Sequence, residues 1–460
     1  MLTTWFRTTF EALWVPEYRI LWAGSLFATL GFMMSFTVQA VVAFEIGGSN
    51  SAVGMVQLGL GASMLILGPM GGVIADRVSK RPLVFWGQVM VGVSLAATGV
   101  LLITGELTIL WLTLMTALMG IAFSFMGPAR QAWVGELVPR RLLPNAVALS
   151  QLSMSISRVG APLMAGVMLG TAFIGAGGTY LFMASLYIIV VATLFLLPPT
   201  KAKPKAERRA VRTELMAGFR YVGANPVLRL LMLLFMALVV VGFTFQVVLP
   251  AFLERHLDRA PTDIGLILTV SAVSSLVASV LVAGMVASKW AWVLMLGGGV
   301  LAGVGFLLLS IAPNFGLAVL TMVVMGPGLA VFMLINNALI MANTSPAYFG
   351  RVMSLTMLAF GVQGVLALPA GILADSLGER QTLALGGFLV LGVVALGAMG
   401  YLSLMRQGLL RPRAERSPER AEVEAPQPVP AGRAIVPRPH GVAMMVGQKT
   451  GAAVRFASGD

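Results

Sequence analysis

Apolar runs long enough to cross a bilayer recur about twelve times between Tyr18 and Met405, given that roughly 20 residues make one helical crossing. Only short polar interruptions separate them. Inside lipid every backbone N–H and C=O must be satisfied within the protein, so the runs are predicted to be helices packed side by side. The expected spans are 18–44, 51–75, 82–104, 107–128, 145–170, 178–197, 227–253, 262–287, 290–312, 315–342, 350–375 and 381–405. With 58% hydrophobic and 11% charged residues and a mean hydropathy of +0.91, the chain lies outside the range of soluble domains. The fold class is an all-α membrane protein.

The formal net charge of +13 would point to nucleic acid in a soluble protein. Its distribution points elsewhere, and no nucleic-acid partner is expected. With the N-terminus placed inside, 27 of the 31 Lys and Arg fall on the inner side or in the tail after Arg406. Arg255, Arg259 and Arg380 fall outside, and Arg158 lies within a span. Basic residues gather on the cytoplasmic side of membrane proteins, so both termini are expected in the cytoplasm and the chain in the plasma membrane. No cleavable signal is expected, because Arg7 and Arg19 are not followed by a short apolar core ending at a small-residue site. Residues 1–17, with Trp5, Phe6, Phe10, Leu13 and Trp14 around Arg7, read as a helix lying on the inner face.

The chain is built twice. Phe36-Thr37-Val38-Gln39 in the first span returns as Phe243-Thr244-Phe245-Gln246 in the seventh. Pro139 and Pro162 return as Pro346 and Pro369 at the same offset, and Gly72 to Arg77 returns more loosely as Gly284 to Lys289. Two six-helix halves follow, 18–197 and 227–405, joined by a basic inner linker over 198–226 that can lie along anionic headgroups. Residues 406–460 mix Arg, Glu, Pro, Gly and Ala without periodicity and read as a disordered cytoplasmic tail. Parallel halves of this kind hold substrate near the membrane midplane and rock about it.

Chemistry-bearing residues are sparse. The chain has no cysteine, which excludes disulfides and thiol nucleophiles, and its two histidines are His256 in an expected outer loop and His440 in the tail. No metal site, cofactor or nucleotide loop is expected, and no converging acids, histidines or nucleophile-base pair mark an enzyme. The stretch Gly71-Gly72-Val73-Ile74-Ala75-Asp76-Arg77-Val78-Ser79-Lys80-Arg81 stands out. It puts an acid and bases on a tight turn at a membrane face, where the carboxylate can accept bonds from a helix N-terminus and the bases can pair with acids or lipid phosphates.

That turn, placed between the second and third spans, resembles the signature loop of the major facilitator superfamily, with Ser79 where the family often has Gly. Gly127-Pro128-Ala129-Arg130-Gln131-Ala132, Val138-Pro139, Asn145-Ala146, Arg158-Val159-Gly160-Ala161-Pro162 and Gly350-Arg351-Val352-Met353-Ser354 resemble its enterobactin-exporter and macrolide-efflux group. The resemblance implies export of a small molecule, a siderophore, macrolide or lipophilic drug, against proton entry, by a monomer. It also implies a latch in which Asp76 bonds to the start of the eleventh span at Gly350 and Arg351, with Arg130 joining and Gly72, Arg77, Lys80 and Arg81 shaping the loop. A gradient-independent facilitator and a transport-dead sensor are the alternatives.

Within the spans, Arg158 is the one deep charge, and an intramembrane arginine is expensive unless paired or facing water. Such a residue either makes an internal bond or contacts an anionic or acceptor-rich substrate. Gly160, Pro162 and Gly166 around it resemble the superfamily's antiporter motif, which implies close packing of the fifth and eighth spans. Gln39, Gln246, Asn336, Asn337 and Gln363 are candidate path residues, with interhelical bonding the competing use of each. Glu45, Glu254 and Asp375, at outer span ends, are candidate proton carriers, with ordinary boundary charges the competing reading.

Overall fold

A computed structural model describes residues 10–197, 211–286, 288–345 and 348–409; of the side chains of 72–73, 75–77, 211–212 and 214–215 nothing is described. The first half consists of α1 (Pro16–Gly47), α2 (Asn50–Arg77), α3 (Lys80–Ile103), α4 (Ile109–Leu137), α5 (Leu143–Gly170) and α6 (Gly175–Phe195). A short α7 (Val211–Ala224) precedes the second half. That half consists of α8 (Pro226–Gly242), α9 (Phe245–Leu257), α10 (Ile264–Ala283), α11 (Ala291–Ser310), α12 (Phe315–Asn343), α13 (Phe349–Leu377) and α14 (Glu379–Arg406). Counting α8 and α9 as one crossing, 12 helical segments among the described residues are long and apolar enough to span a membrane.

Local chemistry sets the helix starts. Ser49, Thr108, Asn225 and Asn314 each turn a side-chain oxygen onto a first-turn N–H, and Pro16 and Pro226 occupy first-turn positions that need no donor. Thr108 and Asn314 do so at equivalent places in the two halves, which open α4 and α12. Between α1 and α2 the chain reverses in two residues, and Gly48 at φ 62° supplies the left-handed turn that a side chain would oppose.

The seventh span is not the continuous helix expected over 227–253. It breaks at Phe243–Thr244, inside the Phe-Thr-Phe-Gln repeat that α1 carries without a break. A run of β-branched residues leads into Gly242, and Thr244 turns its hydroxyl back onto the Val240 carbonyl, so the freed backbone groups find partners nearby.

The two halves pack alike. In the first, α2 packs on α4, α3 on α4 and α6, and α1 on α5 and α6; in the second, α10 packs on α12, α11 on α12 and α14, and α8 on α13 and α14. The outer surface carries Ile66, Trp86, Val93, Ile188, Leu281 and Phe388 exposed, a face that lipid covers without cost. Of the expected surface helix over 1–17, only the part from residue 10 is described. Glu11–Trp14 form a single 3-10 turn stitched to the start of α5 by Ala12 N–H onto Asn145 Oδ1 at 2.9 Å and by a Glu11–Arg141 ion pair at 2.6 Å. Residues 1–9, the linker stretch 198–210 and the tail from 410 lie outside the described residues.

Candidate functional site

The halves meet along two seams, α2 against α13 and α5 against α10. Glycines let the first close to backbone contact. A Cβ built on Gly61 would lie 2.5 Å from the Gly364 Cα, and one on Gly54 would lie 2.5 Å from the Ala367 carbonyl oxygen. Gly371 meets the Asn50 carbonyl in the same way, and Gly361 meets Leu65. Since α2 and α13 run antiparallel, these contacts zip the seam from the end carrying the Gly48–Ser49 turn (the Gly48 end) to about its middle. Toward the other end, which carries the Val78–Ser79 turn (the Ser79 end), contact stops. A Cβ on Gly68 or Gly350 would meet nothing within 4 Å.

The second seam repeats the pattern. A Cβ on Gly265 would lie 2.6 Å from both the Gly166 Cα and the Pro162 carbonyl, so the expected close approach of the fifth and eighth spans occurs at the Gly48 end. Past Ile267 no residue of α10 is buried, and Ser150, Gln151 and Arg158 on α5 are exposed. Both seams are therefore shut at the Gly48 end and parted at the Ser79 end.

Near the shut seam lies a small, mostly apolar pocket with a few polar groups. Gln39, Gln57 and Thr116 line it with Phe36 and Val56. Gln363 reaches from α13 to Gln57 of α2 at 3.5 Å, an amide pair across the halves, and Gln39 donates to the Met119 sulfur at 3.5 Å. Gln246, half-buried, lies in the first turn of α9, directly after the helix break. The two asparagines make packing bonds. Asn336 is fully buried and donates to the Leu231 carbonyl at 3.2 Å, tying α12 to α8, while Asn337 bonds its own helix at Met333. Both amide nitrogens are engaged in this way, the alternative use of a membrane amide.

Three expectations about the signature stretch change. Gly72 to Arg77 is not a turn but the last turns of α2, and the chain reverses only at Val78–Ser79. Lys80 is buried and forms an ion pair with Glu136 of α4 at 2.7 Å, so it pins two helices of one half rather than a lipid phosphate. Arg130 does not reach the start of α13; it lines a pocket inside the first half with Ser25, Gln88 and Thr193, because its position on α4 faces α1, α3 and α6. Arg81 donates to the Phe195 carbonyl at 3.4 Å. Arg351 lies over the Tyr348 ring at 5.1 Å in the first turn of α13. The side chains of Asp76 and Arg77 lie outside the described residues.

Around this end α7 docks on α13 and touches α2. Gly218 packs on Arg351, the Tyr221 hydroxyl accepts from Ser345 N–H at 2.9 Å, and Tyr221 stacks on Tyr348 at 4.1 Å.

At the Gly48 end, Glu45 and Glu254 are exposed at the ends of α1 and α9. Asp375 is engaged across the halves, accepting from Asn50 and Ser51 of α2. Sequence reasoning missed its companions. Glu379 is buried and accepts from Asn50 at 2.9 Å and Arg255 at 2.7 Å, and His256, in the last turn of α9 rather than a loop, meets its other oxygen at 3.0 Å. No group of three or more His, Asp or Glu suited to a metal occurs among the described residues.

Twelve spanning helices in two alike bundles, meeting along two small-residue seams that open at one end, define a membrane transporter of the major facilitator type. The model of the transmembrane secretion effector family matches residues 7–415, and the chain belongs to that family. It is 21% identical over 389 residues to macrolide efflux protein A of Streptococcus pyogenes, covering 82% of this chain and 94% of that one. It is 24% identical over 351 residues to the enterobactin exporter EntS of Escherichia coli O1:K1, covering 75% and 83%. Among solved structures, the fold is shared with the nucleoside transporter NupG (TM-score 0.71, 13% identity, 84% and 100% covered). It is also shared with a bacterial homologue of the human lysosomal transporter Spinster (TM-score 0.65, 15% identity, 84% and 98% covered).

Proposed function

We propose that the protein exports a small molecule from the cytoplasm across the plasma membrane by alternating access, in exchange for protons. The Ser79 end faces the cytoplasm with both termini and the Gly48 end faces out, a reading that the lysine and arginine asymmetry supports. On this reading the seams describe the loading state, shut outward and open inward. That asymmetry of the two seams is the observation that carries the proposal, since a carrier must close one side while the other admits substrate.

Substrate enters between α2 and α13 or between α5 and α10 and meets the amides Gln39, Gln57, Gln363 and Gln246. Arg158, exposed on α5 one turn from the shut part of its seam, contacts anionic or acceptor-rich groups of the substrate. Siderophores and macrolides carry many acceptors, and the relatives' names support that class, with lipophilic drugs as the wider set. Asp76 fastens the inner side in the opposite state by bonding to the first turn of α13. Protons enter through carboxylates of the Gly48 end, among which Glu45, Glu254 and Asp375 are the candidates.

Everted vesicles with an imposed pH gradient test the proposal. Accumulation of a siderophore or macrolide that collapses with the gradient is the expected result. Equilibration that ignores the gradient overturns proton exchange in favour of a facilitator.

A further inference from the structure

The sequence Gly371-Ile372-Leu373-Ala374-Asp375 near the end of α13 repeats the pattern of Gly72-Val73-Ile74-Ala75-Asp76 near the end of α2. The two helices are antiparallel partners across a seam. Each therefore carries an aspartate near its C-terminus, at opposite ends of the antiparallel pair.

At the Gly48 end the aspartate of α13 meets the start of α2. The Asp375 carboxylate accepts from Asn50 N–H at 2.8 Å, Ser51 N–H at 2.9 Å and Asn50 Nδ2 at 3.0 Å. Ser49 accepts from Ala52 N–H, so the first three donors of α2 are all satisfied, two of them by the other half of the molecule. The second hydrogen of the Asn50 amide goes to buried Glu379, whose carboxylate also takes Arg255 Nη1 and meets His256. Arg255 returns across the interface through Nη2 to the Gly48 carbonyl at 2.7 Å. Its guanidinium lies 5.5 Å from the Phe44 ring of α1.

Five hydrogen bonds thus join the halves, and all are charge-assisted. Asp375 Oδ1 and Glu379 Oε1 each accept two hydrogen bonds. Asn50 gives both amide hydrogens and its N–H, and its own Oδ1 has no partner, which is the pattern of a residue used for donation alone.

We propose that Asn50, Arg255, Asp375 and Glu379 form the gate of the Gly48 end: Asp375 capping α2, with the Glu379–Arg255 pair behind it, holds the molecule open at the Ser79 end and must break before it opens at the other. The proposal rests on the alternating-access reading above and extends it to the opposite face. Asp375 is then a gate residue rather than a proton carrier within the path. Small residues along the seam let the aspartate reach its partners. Gly371, one turn before Asp375, sits against the Asn50 carbonyl where any side chain would hold the helices apart.

The chain has no cysteine, so introduced thiols are the only ones to label. Spin labels at Thr104→Cys and Ser376→Cys, exposed residues of the two halves at the Gly48 end, report its opening. A pair at Arg140→Cys and Met405→Cys reports the Ser79 end. Distances are measured in nanodiscs without substrate. Asp375→Asn and Asn50→Asp are expected to raise the open population at the Gly48 end roughly tenfold, from the worth of hydrogen bonds to charged groups, with the reverse at the Ser79 end. Arg259→Gln removes an ion pair to Asp263 that stays within one half and leaves both distributions in place.

Unchanged distributions in Asp375→Asn and Asn50→Asp overturn the gate. Thermal melts run alongside separate misfolding from a change of state, and Glu379→Gln, read the same way, replaces any variant that does not reach the membrane. Shifted distances in a protein that exports none of the tested compounds refute the export reading and leave the gate standing.

Discussion

Gly61→Ala puts the seam itself to the test. The added Cβ would lie 2.5 Å from the Gly364 Cα and carbonyl carbon and 2.6 Å from the Val365 nitrogen, all backbone atoms that cannot turn aside. Ordinary contact begins near 3.4 Å, so α2 and α13 must separate by about 0.9 Å over a surface where Gly54 and Gly371 are as close and Gly361 is nearly so. Overpacking of this kind costs about 1–3 kcal/mol. The cost falls on the state in which the seam is shut at the Gly48 end and is absent when the halves part there. The balance of states should move by roughly 5- to 150-fold toward the outward-open form. Distance measurements between spin labels on the two halves read that shift. Gly68→Ala is the matched control, because a Cβ there meets nothing within 4 Å. If Gly61→Ala and Gly68→Ala give the same distributions and the same export rate, the seam is not what closes the molecule.

Arg158→Ala should raise KM for acceptor-rich substrates while sparing cationic ones, and transport assays across a siderophore, a macrolide and a cationic dye check it; equal effects on all three refute substrate contact. Lys80→Met removes one partner of a buried ion pair and should cost about 3–5 kcal/mol of stability, read as a lowered Tm in detergent, with Glu136→Gln showing a similar loss. Asn336→Leu should cost about 1 kcal/mol in the same melt, the usual worth of an interhelical membrane hydrogen bond, and leave KM unchanged.

Hydropathy made the spans readable because lipid allows only one backbone solution, and length alone then fixes where each helix crosses. The break at Phe243–Thr244 left no trace of that kind, since the run through Val239, Val240 and Val241 stays apolar across it. Polar residues were placed in depth but not in azimuth. Asn336 and Gln363 look alike along the chain, yet one ties α12 to α8 and the other reaches α2 across the seam. Arg130 was misplaced for the same reason: its register on α4 turns it into its own bundle. The gate was hardest to see. Asn50 and Glu379 are separated by 329 residues, and each looks like an ordinary boundary residue until the fold brings them to 2.9 Å. The echo of Gly-Val-Ile-Ala-Asp in Gly-Ile-Leu-Ala-Asp was the one legible clue.

The helix Val211–Ala224 lies like a strut across the parted mouth, resting on α13 and reaching α2. A mouth cannot shut on a strut left in place. Drawing α2 and the start of α13 together therefore requires this helix to move off α2, while the Tyr221–Tyr348 stack and the Tyr221–Ser345 bond, both made on the α13 side, hold it to the second half. On the alternating-access proposal the helix then travels with the second half, carried by its tyrosine pair.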